Sequence, residues 1–239
     1  MNKVEMISRA IEEDIRQCRW LPGNRLPGQL KLMARFGVSR TCLREAINGL
    51  EVKGLITSRH GSGCYVNNLF EAQFAGPMRG VERNSVALQL SVMEMRLVLD
   101  GAAVQCACEH ATDEQLAAIG HEYKLMAQRR GNALQRAKAD LKFHMLIAES
   151  SHSLIIVSLS QLYYAQFFNA IYGTLYSVAG RDLTLSGEVS VAIGTQHHAI
   201  YEALMVRDGE AAKAAAQAHI RYSMSMLEDR TKFNVAEVG

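Results

Sequence analysis

The chain has 239 residues, 49% hydrophobic and 21% charged, with a formal net charge of +2. This is ordinary globular composition, with room for one large or two modest domains. No uncharged apolar run reaches the roughly 18 residues of a membrane span, and Met1 to Asp14 carries four acids in a helical pattern unlike a secretion signal. Five cysteines at 18, 42, 64, 106 and 108 have no framework spacing, so a reducing, cytoplasmic setting is expected. Residues 1–70 hold 11 Lys and Arg against 6 Asp and Glu, whereas the remainder holds 15 against 18. A basic first third on a mildly acidic remainder points to one end of the chain meeting a polyanion.

Val4, Ile7, Ala10, Ile11 and Ile15 recur at helical spacing with charged residues between them, which predicts an amphipathic helix over 4–18. Pro22-Gly23 breaks it. A short helix begins near Pro27 and stops at Gly37, and a third runs from Ser39, a natural N-cap, to Lys53-Gly54. Leu55 to Arg59 and Cys64 to Val66 flank Gly61-Ser62-Gly63 and predict a β-hairpin. Three helices and a hairpin make a winged helix-turn-helix over 1–70. The segment 71–85 contains Gly76, Pro77 and Gly80 without periodicity and is expected to be a linker.

From Val86 onward every periodic stretch is helical, over roughly 86–109, 112–129, 133–150, 153–176, 188–206 and 208–229. Thr112 with Gln115 predicts a capping box, and Asp208 predicts a cap for the last helix. The expected fold class is therefore mainly α. A winged helix-turn-helix precedes an antiparallel all-α bundle of six or seven helices over 86–230, with a tail over 231–239.

On a helical wheel, Arg40, Thr41, Arg44 and Asn48 fall within about 100° of one another, while Leu43, Ala46, Ile47 and Leu50 gather on the other side. The polar face offers two guanidiniums, a hydroxyl and an amide, groups that suit guanine edges, adenine edges and phosphates in a DNA major groove. Many solvated helices carry two arginines, so the wheel alone is weak.

The runs Pro22-Gly23-Asn24-Arg25-Leu26-Pro27, Phe36-Gly37-Val38-Ser39-Arg40-Thr41-Cys42-Leu43-Arg44-Glu45-Ala46, Gly54-Leu55-Ile56 and Gly61-Ser62-Gly63-Cys64-Tyr65-Val66 resemble the DNA-binding domain of the GntR superfamily. The resemblance implies that the helix opening at Ser39-Arg40 enters the major groove of operator DNA and that the hairpin tip reaches the minor groove. Carried over by position, Arg40 and Arg44 become base or phosphate readers, Ser39 and Thr41 become phosphate contacts, His60 and Gly61 lie at the wing, and Arg25 joins the DNA-binding set. One departure stands out: Leu30 occupies the place of an arginine that touches DNA in the family, so operator sequence or affinity is expected to differ.

Three histidines of the helical part lie on apolar stripes. Asp140 and His144 are spaced i, i+4 and project from one helix face, with Ala137 and Ile147. His197 shares a stripe with Ile193, Ile200 and Leu204, and His219 with Ala212, Ala215, Tyr222 and Met226. One buried carboxylate and three buried imidazoles are costly unless paired or bound to a cation, and the set suits a divalent metal such as zinc, nickel or manganese. A hydrogen-bonded core histidine is the competing reading for each one alone. His198 falls off its stripe, and His110, His121 and His152 lie near helix ends or on polar faces.

Met95-Arg96, Asp100-Gly101-Ala102-Ala103, Glu109-His110-Ala111-Thr112, Asp140 through His144, Gln196-His197-His198-Ala199-Ile200 and Ala218-His219-Ile220 look like the ligand-binding (FCD) domain of the FadR subfamily. This resemblance implies that Asp140, His144, His197 and His219 bind a divalent metal, zinc foremost, that helps hold a small organic acid. Arg96 either pairs with an effector carboxylate or forms an i, i+4 salt bridge with Asp100. The expected protein is a cytoplasmic, homodimeric transcription regulator with no membrane partner, with repressor as the working term and activation left open. Two alternatives stay open: a metal-dependent hydrolase or lyase fused to a winged helix, and a regulator whose metal is purely structural. No second acid is expected on the inner stripes near the cluster, which weighs against the enzyme.

Overall fold

The computed structural model of the chain describes residues 2–72, 86–128, 133–164 and 187–236. Residues 73–85, expected as linker, and 165–176, expected to complete a helix, lie outside the described residues. Two units emerge: Met1–Arg79 with Ser153–Leu159, and Gly80–His152 with Ser160–Gly239.

In the first unit, α1 spans Lys3–Arg16, with the Asn2 side chain accepting the Glu5 amide at its start. It ends where Cys18 takes a left-handed φ of 55°. α2 spans Gln29–Phe36 and stops at Gly37, whose φ of 62° suits a residue without a Cβ. α3 spans Arg40–Val52, and Ser39 caps it by accepting the Cys42 amide at 3.4 Å, as expected.

The strands β1 (Ile56–Arg59) and β2 (Gly63–Val66) pair antiparallel, with Ile56 opposite Val66 and Arg59 opposite Gly63. Ile56 and Val66 point inward and join Ile7, Ile11, Ile15, Leu43, Ala46 and Leu50 in one apolar core. Asp14 is buried on the inner face of α1 and holds Arg19 and Arg35, the latter at 2.6 Å. Burial acts to raise its pKa, but the two guanidiniums prevail and hold the carboxyl below its usual range.

Residues 153–159 fall inside the stretch expected as the helical domain, yet they group with the first unit. Leu154 packs against the apolar core, and the Asn68 side-chain amide donates to the Ser158 carbonyl at 2.8 Å. Local periodicity announces a helix here but carries no information about which core the helix serves.

The second unit is helical throughout its described residues. α4 is Val86–His110, α5 Asp113–Gln128 and α6 Ala133–Ser150. α7 is described over 154–164, of which 154–159 group with the first unit and 160–164 with this one, α8 is Gly187–Met205, and α9 is Gly209–Ala236. The capping box forms: Thr112 N–H donates to Gln115 Oε1 and Gln115 N–H to Thr112 Oγ1. Asp208 accepts the Ala211 amide at 2.9 Å and starts α9. That helix runs past its expected end at 229, into the stretch expected as tail, because no Gly or Pro interrupts 230–236. Arg207, with φ 57°, donates to the Cys108 and Ala111 carbonyls and so satisfies the end of α4.

Candidate functional site

The face of α3 is the first candidate. Leu43, Ala46, Ile47 and Leu50 are buried, while Arg40, Thr41, Arg44 and Asn48 are exposed, so the wheel assignment of inner and outer faces holds. The arginines of this unit divide into two sets. Arg9 pairs with Glu5, Arg16 with Glu13, and both Arg19 and Arg35 with Asp14. Arg25, Arg40, Arg44 and Arg59 have no carboxylate partner among the described residues. The unpartnered set lies on or beside α3 and the hairpin, where a polyanion could supply the missing charge. Leu30, in the place of a charged residue, is 73% exposed. His60 and Gly61 stand exposed at the hairpin turn, with Gly61 at φ 69°.

The second candidate lies wholly within the helical unit. Asp140 and His144 come from α6, His197 from α8 and His219 from α9, and one ligand atom from each lies within 4.8 Å of all the others. His197 Nε2 is 2.8 Å from Asp140 Oδ1 and 3.4 Å from His144 Nε2. His144 Nε2 is 3.9 Å from Asp140 Oδ1. All four residues are at most 8% exposed.

The outer nitrogens of the imidazoles turn away from this centre toward separate partners. His197 Nδ1 donates to the Ile193 carbonyl at 3.0 Å, and His219 Nδ1 to Gln196 Oε1 at 3.0 Å. His144 Nδ1 faces Asp100 Oδ2 at 3.9 Å. Fixing the outer nitrogen of a ring directs the inner lone pair, which is how metal-binding histidines are oriented.

The protonation states suit a cation as well. Burial pushes His144 down to about 4 and His219 well below its ordinary value. Burial acts to raise Asp140, but the hydrogen bond and charge of His197, with His144 and His219, outweigh it and keep the carboxylate ionised. Asp140 Oδ2 is buried with no hydrogen-bond partner among the described residues, an atom left waiting for a cation or a ligand group. A divalent metal takes an ionised carboxylate and imidazole nitrogens free of protons, and the ionised Asp140 with the depressed His144 and His219 fits one.

Asp100 corrects the expectation that no second acid lies near the cluster. It is 8% exposed, faces His144 and binds Arg96 through Oδ2 at 2.8 and 3.0 Å. Its pairing with Arg96 four residues away was legible; its reach to another helix was not. Because Arg96 holds it, Asp100 is no free base.

Arg96 itself is 2% exposed, donates to the Tyr164 hydroxyl at 3.0 Å, and lies over the Tyr163 and Tyr164 rings. Burial opposes its charge, yet Asp100 and the tyrosines keep it firmly protonated. Of the alternatives for Arg96, the i, i+4 salt bridge is therefore formed in this structure.

The His219 stripe is displaced slightly from the expected one. Ala212, Ala216, Ile220, Ser223 and Leu227 are buried beside it, whereas Ala215, Tyr222 and Met226 are half-buried. His198 is exposed, as expected, and accepts or donates through Nδ1 to the Tyr123 hydroxyl at 3.0 Å. His110, His121 and His152 are exposed too. Gln196, the support for His219, sits next to His197 in the sequence but carried no signal of its own.

Comparison with known proteins decides the family. The model of the FCD domain matches residues 91–222, and that of the bacterial regulatory proteins of the gntR family matches residues 3–66. The chain belongs to the GntR family and carries an FCD domain. As a member it is a bacterial regulatory protein. The regulator is 27% identical over 219 residues to the HTH-type transcriptional repressor NanR of Salmonella newport (strain SL254), covering 90% of this chain and 82% of that protein. It is equally similar to NanR of Salmonella typhimurium (strain LT2), with 90% and 81% covered. Among solved structures, Streptococcus agalactiae GntR superposes with a TM-score of 0.54 at 20% identity, over 93% of this regulator and 99% of that chain, which supports the fold.

Proposed function

We propose that this regulator is a transcriptional repressor of the FadR subfamily whose FCD domain binds a divalent metal, zinc foremost, and through it a small carboxylated metabolite. Residues 1–70 bind double-stranded operator DNA, and 86–230 sense the effector and join two copies into a cytoplasmic homodimer. The metal ligands are Asp140, His144, His197 and His219. The observation that supports this most is the convergence of one ligand atom from each within 4.8 Å, with the outer nitrogens of His197 and His219 tied elsewhere. A metal held by four protein ligands keeps positions open for a carboxylate when it accepts five or six. The repressor role is supported by the names of the NanR relatives.

On the DNA side, Arg40 and Arg44 read bases or phosphates, Ser39 and Thr41 contact phosphates, His60 and Gly61 act at the wing, and Arg25 binds DNA beside them. Effector control requires only that the metabolite bind DNA-competent and DNA-incompetent states with different affinity. Arg96 then contributes a cation next to the metal, either directly to the effector or through Asp100.

Elemental analysis of zinc-loaded, dialysed protein tests the metal. About one equivalent is expected per wild-type chain and far less in His219→Ala, whose melting temperature should lose the gain that zinc confers. At free zinc 100 times Kd that gain is about 2.7 kcal/mol, or roughly 5–10 °C for a chain of this size. Equal metal in both proteins would remove the site. Metal retained with no thermal shift from any of a panel of hydroxy acids, sugar acids and dicarboxylates would leave a purely structural ion.

A further inference from the structure

The outer face of the β1–β2 hairpin carries a feature that the roles above do not use. Strand alternation puts Thr57 and Arg59 of β1 on the face opposite the core, together with Gly63 and Tyr65, their partners in β2. The Arg59 guanidinium lies 4.5 Å from the centre of the Tyr65 ring. The Tyr65 hydroxyl is tied to Ser62 Oγ at 2.6 Å, so the ring is fixed from the turn end and serves as a platform for the arginine.

Directly across the ladder from Arg59, Gly63 has no side chain. A Cβ built there would stand 2.7 Å from Arg25 Nε, and Gly63 has φ 121°, a conformation that glycine accepts. The chain before α2 runs alongside, with Arg25 bridged to Tyr65. The missing side chain thus lets a second guanidinium lie on the same rung of the hairpin as Arg59. Neither arginine has a carboxylate partner among the described residues. Glu51, near the end of α3, accepts the Ser58 amide at 2.6 Å instead.

Two guanidiniums gathered on one face repel each other unless an anion lies between or beside them. A protein that neutralises Arg9, Arg16, Arg19 and Arg35 with Glu5, Glu13 and Asp14 leaves this rung uncompensated. We infer that Arg59, positioned by Tyr65 and paired with Arg25 across Gly63, binds a backbone phosphate of duplex DNA from the outer face of the wing. The inference rests on the DNA-binding reading and extends it to a residue outside the set named there. Arg59 contributes affinity that is independent of sequence, because a phosphate carries no base identity.

The test measures binding of the full-length protein to a mixed-sequence 30-base-pair duplex by fluorescence anisotropy across a salt series. On B-DNA the slope of log Kobs against log salt falls by about 0.9 for each phosphate that is no longer neutralised. Arg59→Ala should therefore flatten the slope by about that amount and weaken binding several-fold, while Arg59→Lys should keep the slope. Arg9→Ala, which removes an arginine already paired on α1, should leave it unchanged, and circular dichroism should show all three folded.

An unaltered slope in Arg59→Ala, or an equal loss in Arg9→Ala, would overturn the assignment. Wild-type protein that binds no duplex at low salt would instead defeat the DNA-binding reading, and this inference with it.

Discussion

Arg40 and Arg44 stand in solvent on α3 without a carboxylate partner among the described residues, whereas Arg96 is 2% exposed and held by Asp100 and Tyr164. The same side chain is left without a carboxylate partner in one unit and held by a buried carboxylate and a tyrosine hydroxyl in the other. An exposed, unpartnered guanidinium is cheap because water solvates it, and it is available to an external anion at once. A buried one is tolerated only inside a built arrangement of charge and hydrogen bonds. The difference teaches that the first unit keeps unpaired guanidiniums on a surface, while the second keeps its charged groups inside a core, where removing one disturbs its neighbours.

Breaking the internal arrangement should give the largest effect. Arg96→Ala leaves Asp100 buried without its cation, and loss of one partner of a buried pair costs about 3–5 kcal/mol. Chemical denaturation should show that loss, while DNA affinity per folded molecule changes little. A change below about 1 kcal/mol, within the range of exposed pairs, would mean that the pair behaves as a surface salt bridge and would erase the contrast.

Acid probes the same interior next. In metal-free protein the unfolded chain protonates His144 near its ordinary 6.5, but the folded chain resists until about 4. The folded pKa is depressed, so the stability tied to the neutral ring is complete above 6.5 and declines as pH falls through this window. At roughly 1.4 kcal/mol per unit, His144 alone accounts for about 3 kcal/mol, and His219 acts in the same direction. Thermal melts of chelator-treated protein between pH 7.5 and 4 should show the decline. A flat profile would place these rings in contact with water.

The surface set should respond more mildly and without loss of fold. Arg44→Ala should weaken binding to a duplex selected from a random library by about 1–3 kcal/mol, the range for a base-reading arginine, with circular dichroism and melting temperature unchanged. Equal affinity would take α3 out of the groove. A large loss of stability would show that Arg44 is structural after all, and so remove the distinction between the two units.

Much of the first unit was legible in the sequence. The caps at Ser39 and Gly37, the apolar stripe of α3 and the glycine-rich turn are all set within a few residues, and local sterics and hydrogen bonding decide them. The pairing of Arg25 with the Gly63 side of the hairpin was not legible, because it joins residues 38 apart. In the helical unit the stripe bearing His144 was read correctly, and that bearing His197 too apart from Ile193, which is half-buried. The face of α9 around His219 was placed about one position off, since its alanine-rich sequence gives the helix several nearly equivalent apolar faces. Asp100 was assigned to Arg96 alone, because an i, i+4 pair is visible on one helix and an approach to His144 on another is not.

The sequence by itself determined where helices start and stop, which sides of α3 are apolar, and that three imidazoles and a carboxylate would point inward. Each of these follows from interactions across one or two turns. Only the tertiary structure decided that the four groups meet at one point, that Asp100 joins them, and that residues 153–159 serve the core of the first unit. Those outcomes depend on how separate helices pack, and a helix carries no record in its own sequence of which neighbour will cover its buried face.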